Sequence, residues 1–446
     1  MKRIYLVRHG LPEKSSSEKR YIGVTDLSLS ARGEEEATML GAYFLQLLQM
    51  VDAGDCFIEN VTSVTAFRSD GQDESQIETM ETPSSSVKNS IRIFTSPLTR
   101  CRATADVIYQ VLTAGGIRLT QPTVIDALHE IDLGAWEGKT VHEIKKCDPA
   151  AYVARGNQLG SYRTPDGESF LEAGLRFQKA VDEILAVTED EIQILVAHAG
   201  VIRAYLSLLT ERDINRLMEF PMPYGALVEC RQCGNSIDVV PGRVGIRPEE
   251  MLDETELQQM YQTYQTPERV IRHMQKVAEI AEELMDRLGD EVKLNRSRVI
   301  KACLVHDLCR AEKQHARVSA EAVRKEGYPE IAALVAEHHD ASYSETDAAG
   351  PLTEAELLFY ADKRVQEATL VSIETRFRES RKKCRTPEAC VYHDMMYEKT
   401  MKIEAKITHT QSLITWIDGP SASNTCSGPG VTRVRSARNK STGETR

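Results

Sequence analysis

Short, nearly unbroken apolar runs separated by amphipathic stretches organise the first 240 residues of the chain. Ile4-Tyr5-Leu6-Val7, Ile91-Arg92-Ile93-Phe94 and Ile192-Gln193-Ile194-Leu195-Val196-Ala197 are rich in β-branched residues, the texture of buried strands. Each ends in a polar loop: Arg8-His9-Gly10, Thr95-Ser96-Pro97 and His198. Residues 31–50, 99–113, 168–187 and 200–209 carry apolar positions at helical spacing. Strands alternating with helices predict an α/β domain with a mostly parallel sheet, whose ligands gather at the carboxyl ends of strands. His9 and His198 both fall at such ends.

The pattern then changes. Ile237-Asp238-Val239-Val240 reads as the last strand, which gives a first domain over 1–240, and 241–265 reads as a connector with one short helical piece. From Thr266, an N-cap followed by Pro267, the chain is helix after helix. Val270, Met274, Val277, Ala281, Leu284 and Leu288 make one apolar stripe. Further helices are expected over 297–310, 315–326, 329–338, 353–378 and 387–417, an all-α domain over 266–418. Residues 52–90, rich in Ser, Thr, Asp and Glu, read as a polar insertion, and 419–446 as a disordered tail.

Composition limits the function classes. A chain of 446 residues exceeds one ordinary core, and 41% hydrophobic with 27% charged residues is a globular balance. A formal charge of −12 argues against nucleic acid as a partner. No apolar run is long enough to span a membrane and the start does not read as a signal peptide, so a cytoplasmic protein is expected. The ten cysteines then read as reduced thiols, Cys230 and Cys233 included, because that CxxC lacks a second pair at zinc spacing.

Phosphoryl transfer from a monoester needs a nucleophile, cations around the phosphoryl oxygens, and an acid for the leaving group. An imidazole can supply the first, arginine forks the second and a carboxyl group the third. Arg8-His9-Gly10, Ser96-Pro97-Leu98-Thr99-Arg100, the Glu130 segment Leu128–Gly138 and Ala197-His198-Ala199-Gly200 offer them in that order. These four motifs, with Asp26-Leu27-Ser28-Leu29-Ser30 and Pro165-Asp166-Gly167-Glu168-Ser169, resemble the histidine phosphatase superfamily, the phosphoglycerate mutase-like fold, over roughly 1–240. The resemblance implies His9 as nucleophile, Arg8, Arg100 and His198 as the phosphate-binding residues, Glu130 as proton donor, and no cofactor. Ala199 departs from the usual glycine. Arg102 competes with Arg100 on paper, but helix geometry turns it away. His129 and His142 are read as ordinary histidines.

In the helical half, His273, Leu304-Val305-His306-Asp307 and Phe359-Tyr360-Ala361-Asp362 place imidazoles and carboxylates behind apolar residues, where they are costly unless paired or bound to metal. The order H…HD…D resembles the HD-domain phosphohydrolases over roughly 260–380. That resemblance implies a divalent metal (iron, manganese or magnesium) on His273, His306, Asp307 and Asp362. It also makes His315 and His338 second-metal ligands, His338 aligning better than its neighbour His339; some relatives with such histidines cleave dinucleoside polyphosphates. Arg310 and Lys363 read equally as phosphate contacts or solvated faces. His393-Asp394, without an apolar lead-in, reads as helix surface.

Together these features predict a bifunctional phosphohydrolase acting on small, nucleotide-like phosphorylated molecules. The alternatives are a phosphoglycerate-type mutase, or a phosphatase whose HD module senses a ligand without turnover. Nothing in the sequence sets the oligomeric state.

Overall fold

The computed structural model describes residues 2–13, 18, 20–52, 90–189, 191–234, 236–289, 292–340 and 343–410. The expected insertion over 52–90 and the tail over 419–446 therefore lie almost wholly outside the described residues. A six-stranded sheet forms the first half: β1 (Lys2–Arg8), β2 (Ile91–Thr95), β3 (Thr123–Val124), β4 (Ile192–Ala197), β5 (Leu227–Cys233) and β6 (Ser236–Ile246), in the order β3-β2-β4-β1-β5-β6. β3, β2, β4 and β1 run parallel, and β5 and β6 add an antiparallel edge.

Alternation along β1 explains the layers. Tyr5 and Val7 face one side, with Leu40 and Phe44 of α1 (Ala31–Asp52) and Ile108 of α2 (Thr99–Ala114). Ile4 and Leu6 face the other, with Phe177 of α5 (Phe170–Val187) and Ile202 of α6 (Ala199–Leu209). Two helices without a sequence signal, α3 (Val141–Cys147) and α4 (Pro149–Asn157), precede α5; Thr140 and Asp148 cap them.

The helical half comprises α7 (Glu254–Thr263), α8 (Glu268–Leu288), α9 (Arg296–Val305), α10 (His315–Lys325), α11 (Pro329–Glu337), α12 (Glu345–Ala349), α13 (Glu354–Lys363), α14 (Ile373–Arg381) and α15 (Pro387–Thr410). The single helix expected over 353–378 is divided. α13 stops at Lys363, a small hairpin of β7 (Val365–Gln366) and β8 (Thr369–Leu370) follows, and α14 starts anew. Glu367 turns the hairpin at φ 57°, a conformation that its residue type does not announce.

The sheet does not close at Val240. β6 continues to Ile246, and the residues after it are part of the core: Met251, Leu252, Leu257, Met260 and Tyr261 join the α1–α2 face to the helical half in one apolar cluster. Arg247, 3% exposed, fastens the seam. Its guanidinium reaches Glu36 of α1 at 3.6 Å and also pairs with Glu256 of α7, while its backbone N–H donates to Gly327 O at 2.8 Å in the α10–α11 turn. Replacing Arg247 by Ala takes the shared guanidinium from buried Glu36 and half-buried Glu256. The expected cost is on the order of 3 kcal/mol, with sheet and helices still melting together; two well-separated transitions in the parent protein would contradict this seam.

Candidate active sites

The first site is built on adjacent strand ends. β1 delivers Arg8 and His9, β2 leads through Ser96 to Arg100 on α2, and β4 delivers His198 as the residue capping α6. His9 and His198 are buried with ring centroids 5.1 Å apart. The motif glycine after His9 is a packing requirement, since a Cβ on Gly10 would stand 2.4 Å from Gly33 O.

His9 Nδ1 lies 2.7 Å from the carbonyl oxygen of Gly10. A carbonyl only accepts, so Nδ1 carries the proton and Nε2 is left with a bare lone pair. That lone pair accepts from Arg100 Nε at 3.2 Å. Burial, then Arg8 and Arg100, hold the His9 imidazole well below its usual pKa. Arg100 is itself fixed, its two terminal nitrogens donating to Thr25 O and Gly23 O at 2.8 Å each. Glu137 accepts the N–H groups of Gly23 and Val24 and so pins that loop. Arg102 is exposed, as helix geometry required.

His198 Nε2 lies 2.8 Å from Ser96 Oγ, and burial, then His9, keep this imidazole neutral. Glu130 sits against the N-terminus of α6. Its carboxylate accepts from Gly200, Val201 and Ile131, each at 2.9 Å. A Cβ on Gly200 would come within 2.6 Å of Glu130 Oε1, so Gly200 makes this room and Ala199 is simply core. Two side chains were missed. Arg8 stacks 3.6 Å above the Tyr224 ring, which also lies 5.7 Å from the His9 ring. Arg203 is partly buried near Arg8, and burial followed by that neighbour pulls it down to about 10. The turn Pro221-Met222-Pro223-Tyr224-Gly225 was the available signal for the first.

The second site lies where α8, α9, α10, α11 and α13 converge. His306 and Asp307 follow α9, His315 opens α10, His338 and His339 close α11, and Asp362 ends α13. His273 Nδ1 meets Glu367 O at 2.8 Å, His306 Nδ1 meets Cys303 O at 2.8 Å and His338 Nδ1 meets Val335 O at 2.5 Å. The same logic leaves Nε2 bare at His306 and His338; at His273 burial is outweighed by Asp362, which holds the imidazole toward its charged form. His273 Nε2 lies 3.1 Å from Asp362 Oδ1, whereas His306 Nε2 and His338 Nε2 are buried with no hydrogen-bond partner among the described residues.

Both orphan nitrogens face a carboxylate, 3.7 Å from opposite oxygens of Asp307. Lone pairs facing an anion at full burial require a cation, so the residues fit a metal. They form two sets sharing Asp307: His273, His306 and Asp307, and Asp307, His315, His338 and His339. Asp362 adjoins the first set, its Oδ1 3.9 Å from His306 Nε2 and its Oδ2 taking Lys363 Nζ at 2.6 Å. Burial pushes His306 down to about 4, and burial with Lys363 pushes His339 to about 2. Burial opposes ionisation of Asp307, but His306, His338 and Arg310 outweigh it and hold the carboxyl well below its usual range.

His339 therefore joins the cluster beside His338, its Nε2 2.9 Å from that of His315. His393 is also not the surface residue expected. Its side chain is 13% exposed and lines a cavity over the cluster, while Asp394 does face solvent.

Comparison with known proteins identifies the two domains that carry these sites. The histidine phosphatase superfamily (branch 1) matches residues 4–51 and 75–240, and the HD domain matches 270–365. The chain joins a histidine phosphatase domain to an HD domain. It is 29% identical over 103 residues to a 6-phosphofructo-2-kinase/fructose-2,6-bisphosphatase of Arabidopsis thaliana, covering 23% of this chain and 14% of that protein. It is 34% identical over 116 residues to the bifunctional protein Rv2228c of Mycobacterium tuberculosis, covering 26% and 30%. The chain thus spans less than a third of either relative. Among solved structures, Bacillus stearothermophilus YhfR is 24% identical over 54% of this chain and 96% of its own, with a TM-score of 0.39. The α-ribazole phosphatase of Shigella flexneri is 17% identical over 55% and 96%, with a TM-score of 0.38. Among the described residues no helix is long and apolar enough to cross a membrane.

Because the unfolded imidazole has a pKa near ~6.5, His9 binds a proton more readily unfolded than folded. Its burial subtracts stability as pH falls below that value and subtracts nothing above it. At pH 6 the ¹⁵N resonances assigned by comparison with His9→Gln should show neutral imidazole protonated at Nδ1; an imidazolium pattern there would remove the proposed basis of its nucleophilicity.

Proposed function

We propose that the chain is a bifunctional phosphohydrolase with a phosphohistidine site at His9 and a metal-dependent phosphoesterase in the HD domain. The observation that carries the reading is shared by both sites: buried imidazoles whose Nδ1–H is tied to a backbone carbonyl, so that Nε2 is turned inward as a lone pair.

In the first site His9 Nε2 attacks phosphorus, and the bond to the leaving oxygen breaks as that oxygen takes a proton from Glu130. Water then attacks phosphorus on the far side of the N–P bond, gives its proton to Glu130 and frees His9. Arg8, Arg100 and His198 surround the phosphoryl oxygens, and Arg100 moves from Nε2 to the incoming phosphate. Glu130 thus acts as acid in the first step and as base in the second.

In the second site His273, His306, Asp307 and Asp362 hold one divalent ion, and Asp307 with His315, His338 and His339 a second. Such ions supply Lewis-acid chemistry toward a phosphoester. Arg310 and Lys363, tied to Asp307 and Asp362, orient the phosphoryl oxygens. Small phosphorylated molecules, nucleotide-like ones foremost, are the proposed substrates, and the sites act without nucleic acid or membrane.

Millisecond quenching with a ³²P-labelled monoester should yield phosphoprotein that is acid-labile, base-stable and indifferent to chelator. His9→Ala should abolish it. Label that survives in that variant rules out His9 as the acceptor.

A further inference from the structure

No strand or helix covers Glu130. It lies between short 3₁₀ turns over Asp126–Leu128 and Gly134–Trp136, so no ladder of main-chain bonds fixes it. Side chains meet its neighbours' polar groups instead, and one guanidinium does most of this. Arg176 of α5 uses all five of its N–H donors. Nε and one terminal nitrogen, Nη2, fork onto Glu168 at 3.0 and 2.9 Å. Nη1 donates to Ala127 O at 2.7 Å and His129 O at 3.1 Å, and Nη2 to Glu130 O at 3.4 Å. Glu168 in turn accepts from Asp132 N at 3.1 Å, and its own N–H donates to Asp132 O at 2.7 Å. The pair therefore grips residues 127–132 on both sides of Glu130.

This is more than a surface ion pair. Arg163 and Glu172, near the same end of α5, are 65% and 45% exposed, against 19% and 22% for Arg176 and Glu168. Burial opposes ionisation of Glu168, but Arg176 and the Asp132 N–H outweigh it and hold the carboxyl below its usual range. Glu130 itself is unevenly held. Its Oε1 accepts twice, from Ile131 and Val201, and its Oε2 once, from Gly200. Oε2 keeps the free lone pair, so the exchangeable proton sits there. Its direction is set by how residues 127–132 lie against the N-terminus of α6.

We propose that Arg176 is a positioning residue for phosphoryl transfer in the first site. Forked onto Glu168, it sets the main chain of residues 127–132 so that Glu130 Oε2 meets the leaving oxygen. It touches no reacting atom. The inference rests on the reading of Glu130 as the acid of that step and adds the side chain that aims it.

The test compares two monoesters in the full chain with chelator present. Phenyl phosphate releases a phenol with a pKa of about 10, whose oxygen takes the proton of Glu130 as its bond to phosphorus breaks. 2,4-Dinitrophenyl phosphate releases a phenolate that leaves without one. The readout is kcat/KM for the dinitrophenyl ester divided by kcat/KM for the phenyl ester. It covers the steps through transfer to His9, and the fraction of folded protein cancels from it. General acid catalysis contributes about 10²–10⁴-fold, so Glu130→Gln should raise the ratio by that order, and Arg176→Met by roughly tenfold. Glu168→Gln, which leaves Arg176 in place but weakens its anchor, should raise it in the same direction. A ratio within about threefold of the parent in Arg176→Met, or in Glu168→Gln should Arg176→Met not fold, makes the pair a structural staple and overturns the proposal. A ratio that Glu130→Gln itself leaves unmoved removes Glu130 as the acid, and the proposal falls with that reading.

Discussion

A buried imidazole is useful only if its proton is kept out of the way, and one hydrogen bond does this in both halves of the molecule. His9, His273, His306 and His338 each place Nδ1 on a main-chain carbonyl, of Gly10, Glu367, Cys303 and Val335. The bond fixes the tautomer and the ring plane together, and at His9 and His306 burial suppresses protonation of the nitrogen left over. What differs is the company of Nε2. Arginines surround it at His9, so it faces where a phosphorus atom would sit. Carboxylates surround it in the helical half, so it faces where a cation would sit. In the proposed reading the same side chain in the same tautomer would serve nucleophilic chemistry in one place and metal chemistry in the other.

The tautomers depend on backbone placement, and so on the elements that supply the carbonyls. Gly10 is held by its contact with Gly33 and by Thr104, and the next residue, Leu11, donates to Glu36. Glu36 meets Arg247, whose main chain holds the turn between α10 and α11. Those two helices carry His315 at one outer end and His338 at the other. A short path of buried hydrogen bonds and ion pairs thus runs from the His9 loop to the hairpin that presents half of the metal cluster. The two candidate sites are separate in atoms and share one scaffold.

How much of this was legible in the sequence follows from locality. His198, His306-Asp307 and Asp362 announce themselves because each comes directly after an apolar run, and His9 because only Arg8 separates it from one; burial of such a residue needs a reason. The parallel sheet and the amphipathic stripe of α8 are likewise local patterns. Tyr224 and the cavity face of His393 are not, because each is defined by what a distant segment packs against. His339 was passed over because two adjacent histidines at a helix end cannot be ranked without knowing how the last turn closes. Arg247 lies in a stretch whose composition reads as a connector, and only its buried partners show it to be core. The break of α13 at Arg364 has no proline or glycine to mark it. The hairpin after it exists in the structure as the source of Glu367 O for His273, a tertiary requirement.

The central claim is that one chain runs two phosphoryl chemistries, one on side chains alone and one on metal. Monoesterase and diesterase activities of the full chain, measured with and without chelator in the parent, His9→Ala and Asp307→Ala proteins, test it most directly. Chelator and Asp307→Ala should abolish only the diesterase, and His9→Ala only the monoesterase. A single substitution that silences both activities in a protein that remains folded would contradict the claim.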